Sequence, residues 1–504
     1  MRRGGVREKM SLMLLSIFLP VIAGGCLLFS SFQKREKDGK RLHLFVGSIL
    51  VLTAAMALFT AWQGEHEAVL FYLMEGVPIY FKVDSLGRLF VTFVSIVWVA
   101  VGIYSFVYMK KEGRERRFFG LYLLVYGILI ALDFSGNLVT MYLFYELMTL
   151  ASMPLVLHNG SREAIMAALK YLFYSMCGAY MGLFGIFFLY RYCDTLTFLE
   201  GGSLNPALAA GHEGILLIAV FVMLLGFGAK AGMFPLHAWL PAAHPVAPSP
   251  ASAVLSGVIV KSGVLVMTRS VFYVVGGEFL RGTWVQTAWM TLSLLTVFLG
   301  SMLAYREKVF KKRLAYSTVS QVSYILFGLS LLEPQAMTGA LLHTVFHAFI
   351  KCGLFLTAGI FLFCCGKTRV EELKGMGKCM PKTMWCFTFA SLALIGIPPA
   401  SGFVSKWYLA QGALSAPVGW FRYGGPAVLL VSALLTAGYL LPIVMKGFLP
   451  GTDFEETKAG IAGVKEAPAG MLFPLMILAG LGVLLGMFPN PLTSFVSGIA
   501  QALI

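Results

Sequence analysis

Residues 226–264 read GFGAKAGMFPLHAWLPAAHPVAPSPASAVLSGVIVKSGV. Two apolar stretches flank a proline-rich centre, and each stretch carries one lysine, Lys230 and Lys261. Pro235 and Pro241 follow Lys230 closely. A proline removes a backbone donor and breaks the helix that contains it. The run therefore reads as a membrane-crossing helix that is interrupted and gives way to a second helix, with a cation on each side of the break. A lysine at the centre of a transmembrane helix costs roughly 2.5–3.5 kcal/mol on insertion scales, so such positions are the first candidates for chemistry.

The rest of the chain has the same character. Of 504 residues, 58% are hydrophobic and 12% charged, where a soluble domain carries about 25% charged residues. Apolar stretches repeatedly reach the roughly 20 residues that cross a hydrocarbon core. No polar segment is long enough for a separate soluble domain, so 1–504 is read as a single membrane domain. The net charge of +15 is explained by Lys and Arg in short loops, which set orientation across the bilayer. These clusters are not interleaved with aromatic platforms, and no nucleic acid partner is expected. The eight cysteines contain no CxxC pair, and no glycine pattern for dinucleotides or nucleotide phosphates opens a helix. No cofactor and no metal is expected in this chain. Residues 1–9 are basic and the apolar run after them lacks a clean small-residue cleavage site, so it reads as a retained helix.

The expected fold is all-α, a polytopic membrane protein of about fourteen spans. Their approximate cores are 11–32, 43–62, 87–109, 117–134, 137–158, 166–190, 214–233, 247–270, 284–304, 312–332, 338–364, 384–410, 427–447 and 469–488. Loops after odd-numbered spans carry 24 of the 39 Lys and Arg, against 10 on the opposite side. The excess belongs in the cytoplasm, which places both termini on the outer side of a bacterial or archaeal plasma membrane. The five cations left over are Lys170, Lys230, Lys261, Lys351 and Lys406, all lysines inside apolar spans. Burial moves a lysine toward neutrality, whereas arginine stays charged, so an all-lysine set favours a proton relay over a static brace. Lys170 lies near the start of its span, where snorkelling to the headgroups is the competing reading.

Among the acids, Glu146 alone sits well inside a span, in LVTMYLFYELMTLASMPLV (138–156). A buried carboxylate needs a cationic partner or a proton, and an ion pair with Lys230 is expected, the alternative being a protonated carboxyl bonded to a neighbouring helix. His343, His347 and Lys351 recur at i, i+4 and i+8 in HTVFHAFIKCGLF (343–355). That spacing puts them on one helical stripe about 12 Å long, suited to passing protons between imidazoles. A core histidine or a two-histidine metal site are the alternatives. His237 and His244 lie beside the first break as secondary candidates.

The second half carries a matching interruption. Pro398 and Pro399 precede Lys406 in GIPPASGFVSKW (396–407). Interrupted hydrophobic segments in corresponding halves point to an ion site in a repeat transporter. Two inverted repeats are therefore expected, 117–270 and 284–450, each with a broken helix, flanked by N-terminal helices over 10–109 and a C-terminal helix over 469–488.

These stretches, with FYELMTLASMPL (144–155) and KRLAYSTVSQVSYILFG (312–328), resemble the antiporter-like proton-channel family. That family comprises large membrane subunits of complex I, large subunits of Mrp-type sodium/proton antiporters, and membrane subunits of energy-converting hydrogenases. The resemblance covers most of the chain and is strongest over 130–410. It implies that Glu146 modulates the proton affinity of Lys230, that Lys261 is an intermediate relay, that His343, His347 and Lys351 continue a central axis, and that Lys406 is the relay near the outward exit. Asp84, in FKVDSLGRLF (81–90), matches an acid of the family, with helix N-capping as the competing reading. The family often has acids where Ala242 and Val246 stand here, so protons are expected to enter by a different route. One complex I member has a glutamate at the place of Lys406, which disfavours that paralogue. The chain ends soon after the last span, without the long lateral helix of the largest complex I member.

The expected function is proton translocation as a subunit of a complex I-like NADH:quinone oxidoreductase or a membrane-bound hydrogenase. Its partners would be sister antiporter-like subunits, small membrane subunits and a peripheral arm bearing flavin or iron–sulfur centres. The alternative is an Mrp-type subunit exchanging H+ and Na+. An organic-solute transporter is disfavoured by the buried lysines, and so is a non-conducting spacer, which would gain stability from leucine at those positions.

Overall fold

The structure is a computed structural model that describes residues 2–31, 39–452, 454–456, 460–461 and 463–504. Lys34, Arg35, Lys37 and Lys458, which enter the orientation count, lie outside the described residues. The long helices are α1 (Arg2–Ser31), α2 (Gly39–Trp62), α3 (Ser85–Glu112), α4 (Glu115–Asp133), α5 (Leu138–Val156), α6 (Arg162–Tyr192) and α7 (Glu213–Ala231). There follow α8 (Leu240–Val246), α9 (Ser249–Val275), α10 (Trp284–Arg306), α11 (Phe310–Ser330) and α12 (Pro334–Cys365). The chain closes with α13 (Pro381–Ile395), α14 (Ser401–Ser415), α15 (Phe421–Phe448), α16 (Ala469–Met487) and α17 (Asn490–Leu503).

Eleven helices among the described residues are long and apolar enough to cross a membrane. Three expected spans fall outside that measure for visible reasons. α4 opens with the charges Glu115, Arg116 and Arg117. α11 carries Lys311, Lys312 and Arg313 and a run of serines and a glutamine. The span expected over 384–410 is two helices, α13 and α14, of 15 residues each.

Both interruptions are built alike. α7 ends on Gly232 and α13 on Gly396, each in the left-handed region (φ 77° and 94°) that favours glycine. A proline stands three residues on in each case, Pro235 and Pro399. The first break leads through α8 into α9; the second leads directly into α14. Side-chain caps fix other helix starts: Asp84 accepts from Gly87 N, Asn137 from Thr140 N and Ser161 from Ala164 N.

The centre of the molecule is α9, buried on all sides, with α12 beside it. α9 is not a uniform α-helix: it widens into π turns at Leu255–Ile259 and Arg269–Val275. α7 packs against α6, and α14 against α12.

Two elements were not expected from sequence. An antiparallel hairpin, β1 (Glu67–Met74) and β2 (Val77–Lys82), lies between α2 and α3 and bonds to the α4–α5 turn through Lys82 N–Phe134 O and Gly136 N–Tyr80 O. The short helix α17 packs its Val496, Ile499 and Leu503 face inward.

Candidate functional site

Lys230, in the last turn of α7, is fully buried. Its ammonium donates to Thr149 Oγ1 on α5 at 2.6 Å, and to Tyr171 OH and Ser175 Oγ on α6 at 2.9 and 3.4 Å. Its Nζ lies 4.7 Å from the centre of the Tyr171 ring. Three hydroxyls thus match the three donors of the ammonium. Glu146 stands one turn before Thr149 on α5, half-buried, with Oε1 shielded from solvent and unbonded. The expected direct ion pair is not formed: no Glu146 oxygen lies within 4.0 Å of Lys230 Nζ, because the hydroxyls take every donor.

The next cations are held by the backbone. Lys261 on α9 donates to Ser256 O, inside the first π turn; such turns recur at functional sites because they misalign backbone carbonyls. Lys351 on α12 reaches across to α11, donating to Leu314 O at 3.1 Å and to Ser317 Oγ. Lys406 on α14 reaches back over the second break and donates to Leu394 O and Ile395 O at 2.7 and 2.9 Å. These are the last carbonyls of α13, the negative end of its dipole, which favours a cation.

Between Lys351 and Lys406 stand the two histidines of α12. Their ring centroids are 5.7 Å apart. His343 Nδ1 bonds Ser405 Oγ on α14 at 2.9 Å, one residue before Lys406, and its ring stacks on Tyr324. His343 Nε2 and both ring nitrogens of His347 and His244 are buried without a protein partner. His244, on α8, stacks on Phe355 of α12 at 4.6 Å. The expected stripe is therefore present as a run of side chains from α14 down α12.

Three secondary candidates occupy separate places. Lys170 is exposed on α6, outside this row. His237 is half-buried in the first break, beside Pro235. Asp84 caps α3 and also accepts a bidentate pair from Arg269, at 2.7 and 2.9 Å. Arg269, at the end of the expected span 247–270, was counted among the ten cations of the outer side, and the intramembrane cations were expected to be lysines alone. Arg269 is instead fully buried, because α9 continues through it as a π turn to Val275.

The sequence reading also missed Lys311, nine-tenths buried on α11 and bonded to Ala247 O at 2.9 Å. It missed the polar stripe Ser317, Gln321 and Tyr324 as well, all fully buried. Their i, i+4, i+7 spacing within 312–328 is the signal that would have found them.

Fold and row together define the class: a polytopic membrane protein whose lysines, imidazoles and hydroxyls follow one another through its core. The transmembrane profile described as NADH:quinone oxidoreductase/Mrp antiporter matches residues 135–436, and that of the complex I chain 5 N-terminus matches 75–119. NADH-quinone oxidoreductase subunit N of Desulforudis audaxviator is 34% identical over 84% of this chain and 85% of its own length. A Na(+)/H(+) antiporter subunit of Bacillus subtilis is 30% identical over 84% of each. In fold, the chain is similar to one from the Mrp complex of a Dietzia species, with a TM-score of 0.83 and 23% identity over 98% of this chain and 97% of that one. The chain belongs to the NADH:quinone oxidoreductase/Mrp antiporter family of membrane subunits.

Proposed function

We propose that this chain translocates protons as one membrane subunit of a redox-driven complex, along Lys230, Lys261, Lys351, His347, His343 and Lys406. One observation carries the reading: the four lysines of this row are held by hydroxyls and carbonyls, and none by a carboxylate. A lysine paired with a carboxylate is locked as the cation. One held by neutral groups is free to give up its proton when the local field changes. Glu146, on the same helix as the hydroxyl nearest Lys230, supplies such a field: its approach would raise the proton affinity of Lys230 and its withdrawal would lower it.

The two Gly-x-x-Pro breaks, each leading past a lysine, support the two inverted repeats 117–270 and 284–450 within a fourteen-span layout. Both termini would face outward from a bacterial or archaeal plasma membrane. Redox centres would sit in partner subunits bearing flavin or iron–sulfur groups, with none in this chain. The likeness to subunit N of a quinone oxidoreductase favours this drive.

The likeness to a Na(+)/H(+) antiporter component favours a second reading, sodium/proton exchange without redox chemistry. Purification of the native complex in mild detergent, followed by mass spectrometry of its subunits, separates the two. Flavin- or iron–sulfur-bearing partners are expected. Small hydrophobic partners alone, with sodium-dependent proton movement in vesicles, would overturn the redox-driven reading.

A further inference from the structure

An apolar groove of about 280 Å³ lies between the end of α2, α3, α12, α16 and α17, away from the lysine row. Phe93, Phe349, Leu485, Leu492 and Phe495 contribute to its walls. Thr92 also lines it, but its hydroxyl is already used, donating to Arg88 O and accepting from Trp62 Nε1. The groove offers no polar group to a solute, and four of the five helices that wall it, α2, α3, α12 and α16, are long and apolar enough to span a membrane.

Its rim carries a cation with unusual company. Arg88 stands one turn before Thr92, in the first turn of α3, and its guanidinium lies over the Trp62 ring at 5.5 Å. It is half-buried, its Nε is shielded from solvent and unbonded, and among the described residues it has no carboxylate partner. The neighbouring acid, Asp84, is held by Arg269. A helix N-terminus adds positive potential at the same place. Arginine beside tryptophan at the end of a spanning helix is headgroup-level chemistry, and a guanidinium binds phosphate through two parallel hydrogen bonds.

We infer that this groove is a binding site for one anionic phospholipid, with an acyl chain along Phe93, Phe349 and Phe495 and its phosphate on Arg88. Charge complementarity selects this occupant: the groove takes a tail, the arginine takes an anion, and a phospholipid joins the two. An apolar helix of a partner subunit would fill the groove but leave Arg88 unpaired.

The test is native mass spectrometry of the purified full chain, titrated with phosphatidylglycerol and, separately, with phosphatidylcholine. The wild-type protein is expected to retain one phosphatidylglycerol at concentrations where phosphatidylcholine is lost. Arg88→Gln should weaken phosphatidylglycerol about tenfold and leave phosphatidylcholine unchanged, because only a charge-assisted contact is removed. Arg88→Lys should keep most of the preference. Leu485→Trp, which fills the groove, should weaken both lipids, with an unchanged melting temperature showing that the fold survives. Equal retention of the two lipids, or indifference to Arg88→Gln, would overturn the inference. So would a photo-crosslinker at position 495 in native membranes that captures a polypeptide instead of lipid.

Discussion

Arg269 and Lys230 are both completely buried cations on neighbouring helices, and aromatic rings flank both, yet their hydrogen-bond partners have little in common. Arg269 is enclosed by fixed negative and aromatic groups. Asp84 takes two of its hydrogen bonds, Asp133 O accepts another at 3.1 Å, and the rings of Phe198 and Tyr273 lie 4.7 and 5.5 Å from the guanidinium carbon. The hydrogen bonds of Lys230 all go to neutral hydroxyls, with the Tyr171 and Tyr145 rings 4.7 and 5.5 Å from its Nζ. A hydroxyl accepts from an ammonium and equally donates to a neutral amine, so the shell around Lys230 serves both protonation states. The shell around Arg269 serves one. The same apolar core therefore contains a clamp, which joins α3, α4 and α9, and a titratable site, and the nature of the partner atoms tells them apart.

The contrast breaks most sharply at Lys230→Ala. Proton transfer groups contribute roughly 10²- to 10⁴-fold, so proton uptake by liposomes containing the purified complex should fall at least about 100-fold. Assembly should be preserved, because the groups left around the site are neutral hydroxyls, and those of Thr149 and Tyr171 keep Tyr145 O and Ser152 Oγ as partners. Uptake at the wild-type rate would show that the row is not the path.

Arg269→Ala should fail in the opposite way. It strands Asp84 and opens the clamp, and breaking a buried pair from one side costs about 3–5 kcal/mol. The expected readout is a lower melting temperature and reduced recovery of folded protein, with proton uptake per folded molecule close to wild type. A selective loss of uptake with unchanged melting would move Arg269 from the clamp into the path.

Glu146→Gln comes next in size. The carboxylate does not touch Lys230 but acts on it through space, so the variant should slow uptake about tenfold, the effect of roughly one unit of proton affinity. Unchanged uptake in Glu146→Gln would remove the proposed field switch and leave the row itself standing.

The sequence exposed the parts of this arrangement that carry a large local penalty. Lysines inside apolar runs and Gly-x-x-Pro interruptions are visible residue by residue, and Lys230, Lys261, Lys351, Lys406 and both breaks lie where they were expected. What stayed hidden depends on separation. The hydroxyls around Lys230 lie 55 to 81 residues away in the chain, so neither the shell nor its displacement of the Glu146 ion pair could be read from spacing. Arg269 was misplaced because, at the very end of the expected span 247–270, it was counted with the outer-side cations, whereas α9 runs on to Val275 and carries its arginine inward to meet Asp84, 185 residues distant. The hairpin was legible in principle: Val77, Ile79 and Phe81 alternate as a half-buried strand does, but a search for 20-residue apolar runs passes over six-residue ones.

The smallest effect tests the idea that the hydroxyl shell matters as a shell. Thr149→Val keeps the shape of the side chain and removes one acceptor from Lys230, leaving Tyr171 and Ser175 in place. A single hydrogen bond to a charged group is worth about 1.5–3 kcal/mol at most, and a neighbouring acceptor recovers part of it. The expected result is a two- to fivefold slowing (~0.4–1 kcal/mol) with no change in melting temperature. The sign of the pH response sharpens the point. Removing an acceptor disfavours the ammonium, so the pH at which Lys230 loses its proton should fall, and the uptake profile should shift toward lower pH. A shift toward higher pH would mean that Thr149 donates to Lys230, and that the resting state of the site is the neutral amine.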